Sequence, residues 1–359
     1  MFFYWLLFLV PVYFLLGKAQ NGAKTSRIEW QLFWGLLVFL IGLRNEVGCD
    51  WFAYLEGLKQ SKYIEWDEIF LSREDTGHIL IGWLSMALNT NEYGVNLIYA
   101  GIFSFGLIKL SIAQPYPWMA ILVATPYLVI VVAMGYTRQA AAIGFLMYSF
   151  TYLVQQRVLT YLLIVLFAGL IHKTAFIFIV FVFFLPGSSK LRSGLGVGLL
   201  ISLVGGAYLI EQADTFILNY VTYTMDSSGA QIRTLMNLPV ALIFFSNWSK
   251  WGLVYKDRWL WGIFALISIV CVPMVFIAST AVDRMALYLI PLQLVVLARF
   301  PELVSGYIGR TSVVLIVAMY YGLVQYVWLV YGSHAYCWVP YDNLLLPSFW
   351  PEAKDLVAH

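Results

Sequence analysis

Residues 157–185 read RVLTYLLIVLFAGLIHKTAFIFIVFVFFL, an apolar run interrupted near its middle by the pair His172-Lys173. One straight helix would bury a histidine and a lysine at membrane depth, which is costly. A helical hairpin would place both residues at the turn between two short membrane passes. The segment therefore predicts two passes, with one long tilted helix as the alternative.

Comparable apolar runs recur along the chain. Of its 359 residues, 62% are hydrophobic and 11% are charged, whereas soluble domains average roughly 45–50% apolar and about 25% charged residues. This composition predicts an all-α, polytopic integral membrane protein with a single transmembrane domain over residues 1–359. About twelve transmembrane helices are expected, at 2–17, 28–43, 93–112, 117–134, 138–155, 157–171, 173–185, 195–211, 236–254, 259–280, 284–298 and 311–331.

Two shorter segments need a separate interpretation. Residues 76–90 include an apolar stretch of only about a dozen residues, so a re-entrant or interfacial helix is predicted there. The apolar start of the chain is followed, not preceded, by positive charges. This order favours a first transmembrane helix, and a cleaved signal peptide is the alternative.

The distribution of lysine and arginine sets the predicted orientation. Basic connections such as the one containing Lys18, Lys24 and Arg27 are expected to face the cytoplasm. The segment 44–76 has four basic and eight acidic residues, a net charge of 4 − 8 = −4, and is expected outside. Both termini are then extracytoplasmic, together with the loop at about 212–235 and the tail at 332–359.

This topology brings four polar motifs to the same outer face. They are Arg44 with Asp50, Arg138 with Gln139, His172 with Lys173, and Asp283 with Arg284. Ionisable groups at such depth are usually paired or functional. The simpler interpretation of each motif is a snorkelling side chain or a local ion pair at the interface.

Two of these motifs have a specific chemistry. Arg138 and Gln139 lie in the first turn of a predicted helix, where free N–H groups and a planar guanidinium suit a phosphate. His172 neighbours Lys173, and a nearby cation with partial burial favours a neutral imidazole able to accept a proton near pH 7. Asp50 is the second candidate proton acceptor.

Metal and nucleotide chemistry have no sequence signature here. The chain lacks an HExxH motif and a phosphate-binding GxxxxGK[ST] loop, and it shows no nucleic-acid signature. No cofactor is therefore expected. Its three cysteines form no metal pattern; Cys271 lies in an apolar run, and a disulfide between Cys49 and Cys337 is left open.

Taken in order, the motifs resemble those of the Wzy/EpsG family of polysaccharide polymerases. The first is Gly-Leu-Arg44 followed by Val-Gly-Cys-Asp50-Trp and Tyr54, and the second is Arg138-Gln139-Ala. The third is His172-Lys173-Thr174-Ala, and the fourth is Ala281-Val-Asp283-Arg284-Met with Tyr288. A later Val339-Pro340-Tyr341 with Asn343 resembles the family's C-terminal turn. The resemblance spans nearly the whole chain, and Cys49 departs from it.

The resemblance implies a lipid-linked sugar transferase of GT-C-like architecture in the bacterial cytoplasmic (inner) membrane, active on its outer side. Such enzymes transfer a growing glycan from undecaprenyl diphosphate to the non-reducing end of an undecaprenyl-diphosphate-linked repeat unit. Because the lipid diphosphate is the leaving group, neither nucleotide nor metal is needed. The family also implies a chain-length regulator and a flippase as partners.

Roles for individual residues follow from this reaction. His172 or Asp50 would accept the proton of the attacking hydroxyl. Cations would stabilise the departing diphosphate, namely Arg44, Arg138 and Arg284, with Lys173 in support. Asp283 is expected to orient Arg284, Gln139 to hold a sugar or phosphate oxygen, and Tyr54 to contact a sugar ring.

Two other functions fit the same sequence less well. An O-antigen-ligase-like enzyme would use the same donor but another acceptor. A flippase or other transporter would carry ionisable groups near the membrane midplane and often internal repeats, whereas the motifs here gather at one face. The sequence leaves the sugars, the linkage, the class of polysaccharide and the oligomeric state open.

Overall fold

The computed structural model describes residues 1–21, 25–61, 69, 75–185, 229–304 and 306–346. Within these ranges the chain is helical and forms no β-strand, apart from isolated bridges at Asn343. The predicted all-α class is confirmed for the described residues. The predicted crossing at 195–211, most of the loop at 212–235 and the end of the tail lie outside them.

The first eight helices are α1 Phe2–Asn21, α2 Arg27–Gly42, α3 Trp51–Ser61, α4 Thr76–Ala87, α5 Asn91–Ile112, α6 Pro117–Gly135, α7 Thr137–Val154 and α8 Val158–Ile171. They are followed by α9 Lys173–Phe184, which is a 3₁₀ helix, α10 Ala230–Leu235, α11 Asn237–Ser246, α12 Trp248–Val254, α13 Arg258–Met274, α14 Ser279–Leu287, α15 Ile290–Leu303 and α16 Tyr307–Tyr331. The dozen residues of α4 match the short helix predicted between 76 and 90.

Helices α8 and α9 form the predicted hairpin. His172 between them has an extended backbone, with φ −149° and ψ 105°, so the α-helix ends there. The hydroxyl of Tyr161 donates a 2.5 Å hydrogen bond to the carbonyl of Phe178 across the turn. In one straight helix these 17 residues would span about 25 Å. The single tilted helix is therefore excluded.

The structure does not confirm the predicted twelve membrane crossings. Among the described residues, three helices are long and apolar enough to cross a membrane: α5, α6 and the stretch Gly309–Tyr331 of α16. The pair α14–α15 adds a fourth if its 46° bend is counted as one broken span. The other apolar helices have 10–17 residues because polar motifs and bends interrupt them. The predicted crossing at 236–254, for example, is split at Asn247 into α11 and α12.

Helix α6 is the central helix of the fold. Its apolar stretch is fully buried and packs against α1, α5, α15 and α16, among others. Residues Thr125–Val132 widen into π-helical turns, where Pro126 cannot donate a backbone hydrogen bond. The helix ends at Gly135, and a Cβ atom there would lie 2.5 Å from the ring of Trp338. The second polar motif begins directly after this end.

A glycine contact sets the distance between α5 and α7. A Cβ atom on Gly106 would overlap the carbonyl group of Gly144, and one on Gly144 would lie 2.5 Å from the Cα atom of Phe103. Small residues allow two membrane helices to approach closely. This contact fixes α7, whose first turn carries Arg138 and Gln139, against the rest of the bundle.

Candidate active site

Asp75 is the centre of the polar cluster. Its side chain is 4% exposed, and its Oδ2 atom lies 3.5 Å from Nη1 of Arg138 and 3.5 Å from Nδ1 of His172. Its Oδ1 atom accepts a 3.0 Å hydrogen bond from the backbone N–H of Lys173. One carboxylate thus joins the second motif, at the start of α7, to the third motif, at the α8–α9 turn.

The charges around Asp75 keep it ionised. Burial would raise the pKa of this carboxyl group, but the neighbouring imidazole of His172, the charge of Arg138 and the backbone N–H of Lys173 oppose that effect. The net result is a pKa below the ordinary value of 3.8. At neutral pH the cluster therefore has a buried anion behind its cations.

Arg284 and the second motif meet on the other side of the cluster. The guanidinium of Arg284 lies over the ring of Tyr136, with its Cζ atom 5.0 Å from the ring centroid. The amide nitrogen of Gln139 donates a 2.7 Å hydrogen bond to the backbone carbonyl of Arg284. Gln139 is buried, and its amide oxygen has no hydrogen-bond partner in the described part of the chain. This arrangement favours a role for Gln139 in positioning Arg284 over direct contact with substrate.

The structure shows a different partner for Asp283 from the Arg284 that the sequence suggested. Asp283 instead accepts two 2.7 Å hydrogen bonds from Nε and Nη2 of Arg233, on α10. The planar guanidinium fork matches both carboxylate oxygens at once. Adjacent residues on a helix project in different directions, so the side chain of Arg284 is exposed while that of Asp283 is buried.

Arg44 is not placed to meet a substrate. It is 1% exposed, and its guanidinium donates to the carbonyls of Ile41 at 2.6 Å and Met134 at 2.9 Å and to the side chain of Asn96 at 3.1 Å. A cation buried in this way ties the end of α2 to the end of α6. Its expected contact with diphosphate has no support in this geometry.

Asp50 and Tyr54 border the cluster from the first motif. Burial raises the pKa of Asp50 above its ordinary value, and the charges of Arg284 and Arg138 partly offset that shift. The guanidinium of Arg138 lies over the ring of Tyr54, 5.5 Å from its centroid. Both residues thus lie near the cations that the sequence assigned to the donor.

The C-terminal turn holds the first motif in place. The structure joins Cys49 to Cys337 by a disulfide, which answers the question that the sequence left open, and Cys271 is a buried free cysteine. The backbone N–H of Gly48 donates to the carbonyl of Cys337 at 2.8 Å. Gly48 has φ +101°, and a Cβ atom there would lie 2.5 Å from the carbonyl oxygen of Met134, so only glycine fits.

A last contact links the third motif to the fourth. The hydroxyls of Thr174 and Tyr288 are 2.8 Å apart. In the described part of the chain no group of three or more His, Cys, Asp or Glu residues could hold a metal ion. The described residues bring guanidinium, imidazole, carboxylate and hydroxyl groups to the cluster.

Two residues of the cluster were missed by the sequence analysis. Asp75 is one of eight acids in the segment 44–76, and nothing local distinguishes it except that a helix begins directly after it. Arg233 is an isolated basic residue that belongs to none of the four motifs. A search for charges at helix ends would have found Asp75, but the pairing of Arg233 with Asp283 depends on the tertiary fold.

The described residues form helices, several of them long and apolar, and share a cluster of arginine, histidine and aspartate. This combination fits a multi-pass membrane protein with a polar centre. The family model of the EpsG family matches residues 28–343, and the chain belongs to that family. Membership indicates a membrane enzyme of the exopolysaccharide or O-antigen polymerase type. No curated protein and no solved structure matches the chain.

Proposed function

We propose that the protein is a polysaccharide polymerase that uses undecaprenyl diphosphate as the carrier of both of its substrates. It would transfer the growing glycan from one carrier to the non-reducing end of a repeat unit on another. The observation that carries this proposal is the convergence of His172, Arg138 and Arg284 from three separate motifs on one cluster. A general base and two cations are the groups that such a transfer needs.

The reaction assigns a place to each group. The oxygen of a sugar hydroxyl on the acceptor forms a bond to the anomeric carbon of the donor glycan. The bond between that carbon and the diphosphate oxygen breaks, and its electron pair leaves with undecaprenyl diphosphate. The hydroxyl proton passes to His172, whose side chain is 21% exposed and so is accessible from the cluster surface.

The departing diphosphate gains negative charge, and the cations of the cluster stabilise it. Arg284 is the most accessible of them, since its side chain is exposed and its guanidinium makes no hydrogen bond within the described part of the chain. Arg138, with 27% of its side chain exposed, is the second, and Lys173 supports both. Arg44 has a structural role in this proposal, since it binds the backbone carbonyls of Ile41 and Met134.

The disulfide supports an extracytoplasmic site. Disulfides form and persist in oxidising compartments and are rare in the cytosol. Cys49 and Cys337 lie in the segments that border the cluster, and the distribution of lysine and arginine independently favours an outer location for these segments. Both arguments support an active site that faces the periplasm or the exterior.

Reconstitution with defined substrates tests this proposal. The purified protein in liposomes is incubated with undecaprenyl-diphosphate-linked repeat units, without nucleotide. A ladder of lipid-linked products that differ by one repeat unit is the expected result. Transfer to another lipid acceptor without a ladder would indicate a ligase-like enzyme, and movement of intact substrate across the bilayer without a new linkage would indicate a transporter.

A further inference from the structure

Asp75 occupies the N-cap position of α4 but does not cap that helix. Its backbone carbonyl accepts the N–H groups of His78 at 2.9 Å and Ile79 at 3.1 Å, which fixes the residue at the helix start. An aspartate at this position normally turns its carboxylate back to the free N–H groups of its own first turn. The carboxylate of Asp75 makes no such bond. It is turned to the α8–α9 turn, where it contacts Lys173 and His172.

The contact with His172 is directional. It is Nδ1 of the imidazole that lies 3.5 Å from the carboxylate, and this buried nitrogen has no closer partner among the described residues. A distance of 3.5 Å is longer than a good hydrogen bond, and contacts of this kind are often long in substrate-free enzymes. The acid behind the ring selects the tautomer with a proton on Nδ1, because only an N–H group can donate to a carboxylate.

We propose that Asp75 is a positioning residue that holds His172 with Nδ1–H toward the carboxylate and leaves Nε2 as the acceptor of the sugar-hydroxyl proton. The inference rests on the proposed transferase function for its consequence in catalysis. When Nε2 takes the proton, the resulting imidazolium is paired with an anion that is already in place. Aspartate has this role behind the histidine of many hydrolytic triads.

The other charges around the pair have defined effects. Arg138 from α7 approaches the same Oδ2 atom, and the N–H of Lys173 binds Oδ1, so Asp75 remains ionised and does not take up the proton itself. The charged groups next to His172 are therefore the cations Lys173 and Arg138 and the anion Asp75. His78 of α4 is engaged by the hydroxyl of Tyr99 at 2.8 Å.

The tautomer can be measured directly in the wild-type protein. Nitrogen-15 NMR of histidine-labelled protein in bilayers distinguishes Nδ1–H from Nε2–H imidazole, and His172→Gln identifies its signal among the four histidines. A neutral Nδ1–H ring at alkaline pH is the expected result. A neutral Nε2–H ring would overturn the proposal, whether or not the protein is a polymerase.

Kinetics then test the consequence for catalysis. In Asp75→Asn, kcat for chain extension should fall about 10²-fold or more while KM for the lipid-linked donor changes little. The acid limb of the rate profile should move to lower pH, because the imidazolium loses its counter-anion. Asp75→Glu should restore part of kcat. The matched control is Glu56→Gln, an exposed acid on α3 outside the cluster, which should behave as wild type.

The two measurements separate the possible failures. An Asp75→Asn variant with wild-type kcat and an unmoved acid limb would contradict the positioning role. A rise in KM with unchanged kcat would also contradict it and would assign Asp75 to donor binding through Arg138. If the wild-type protein forms no ladder but has the Nδ1–H ring, the polymerase proposal fails. The orientation of His172 by Asp75 is then still supported.

Discussion

The carboxylate of Asp283 lies in a bidentate ion pair with the guanidinium of Arg233, with both N–O distances at 2.7 Å. The acid beside Arg284 is therefore neutralised by a cation from a different helix. Arg284 rests instead on the ring of Tyr136. Its charge remains available at the surface of the cluster, which is where a departing diphosphate would need it.

Removal of Arg233 should therefore destabilise the protein and also weaken the site. Arg233→Ala leaves Asp283, which is 7% exposed, without this partner, at a cost of about 3 kcal/mol for a largely buried pair. Thermal unfolding in detergent should show this loss. Asp283→Asn combined with Arg233→Ala should recover part of it, so that the double-mutant cycle, with Asp283→Asn as the other single variant, gives a coupling energy of about 1–3 kcal/mol. Strictly additive losses would contradict the pair.

Much of this site could be predicted from the sequence because its residues mark the ends of apolar runs. His172-Lys173 interrupts a run, and the chain does turn back at that point. Arg138 and Gln139 open α7 as expected. These predictions depend on the cost of burying charge in an apolar helix, which is a local property of the sequence.

The rest depends on contacts between distant segments. Arg44 looked like a surface cation at the end of a helix. Its guanidinium is instead buried and donates to several acceptors, one of which is the carbonyl of Met134, 90 residues later. Asp75 looked like one more acid of an acidic loop, and only the packing of α4 against the α8–α9 turn gives it a function. No periodicity or local motif encodes such pairings.

The charge of Asp75 should contribute to stability in a pH-dependent way. Its pKa is lower in the folded protein than the ordinary value of 3.8, so the folded state favours the ionised form. The contribution is fully present above about pH 4–5 and is lost as the pH falls through the lowered folded-state pKa. The melting temperatures of wild type and Asp75→Asn should therefore differ more at pH 7 than at pH 3. An equal difference at both pH values would contradict the ionised state.

The glycine contact between α5 and α7 should not tolerate even one added carbon. Gly106→Ala would push its Cβ atom into the carbonyl of Gly144, and overpacking of this kind costs about 1–3 kcal/mol. Both unfolding temperature and activity should fall, because α7 carries Arg138. The control is Gly35→Ala on α2, where nothing lies within 4 Å of the added carbon. Equal behaviour of the two variants would contradict the close approach.

The disulfide gives a test of orientation in intact cells. In a Cys271→Ser background, a membrane-impermeant maleimide should not label the protein until an impermeant phosphine has reduced the bond between Cys49 and Cys337. Labelling after reduction, without permeabilisation, would place this face outside. Labelling without reductant would contradict the bond, and labelling only after permeabilisation would contradict the orientation.

The polymerase function is tested most directly by the glycan ladder of cells that lack this gene. They are complemented with wild type, His172→Ala, Arg138→Ala or Arg284→Ala at matched membrane levels, with Glu56→Gln as the control. A full ladder is expected with wild type and the control, and single repeat units with the other three. A full ladder in all three variants would contradict the assigned site, and an unchanged ladder in the uncomplemented deletion would contradict the polymerase function itself.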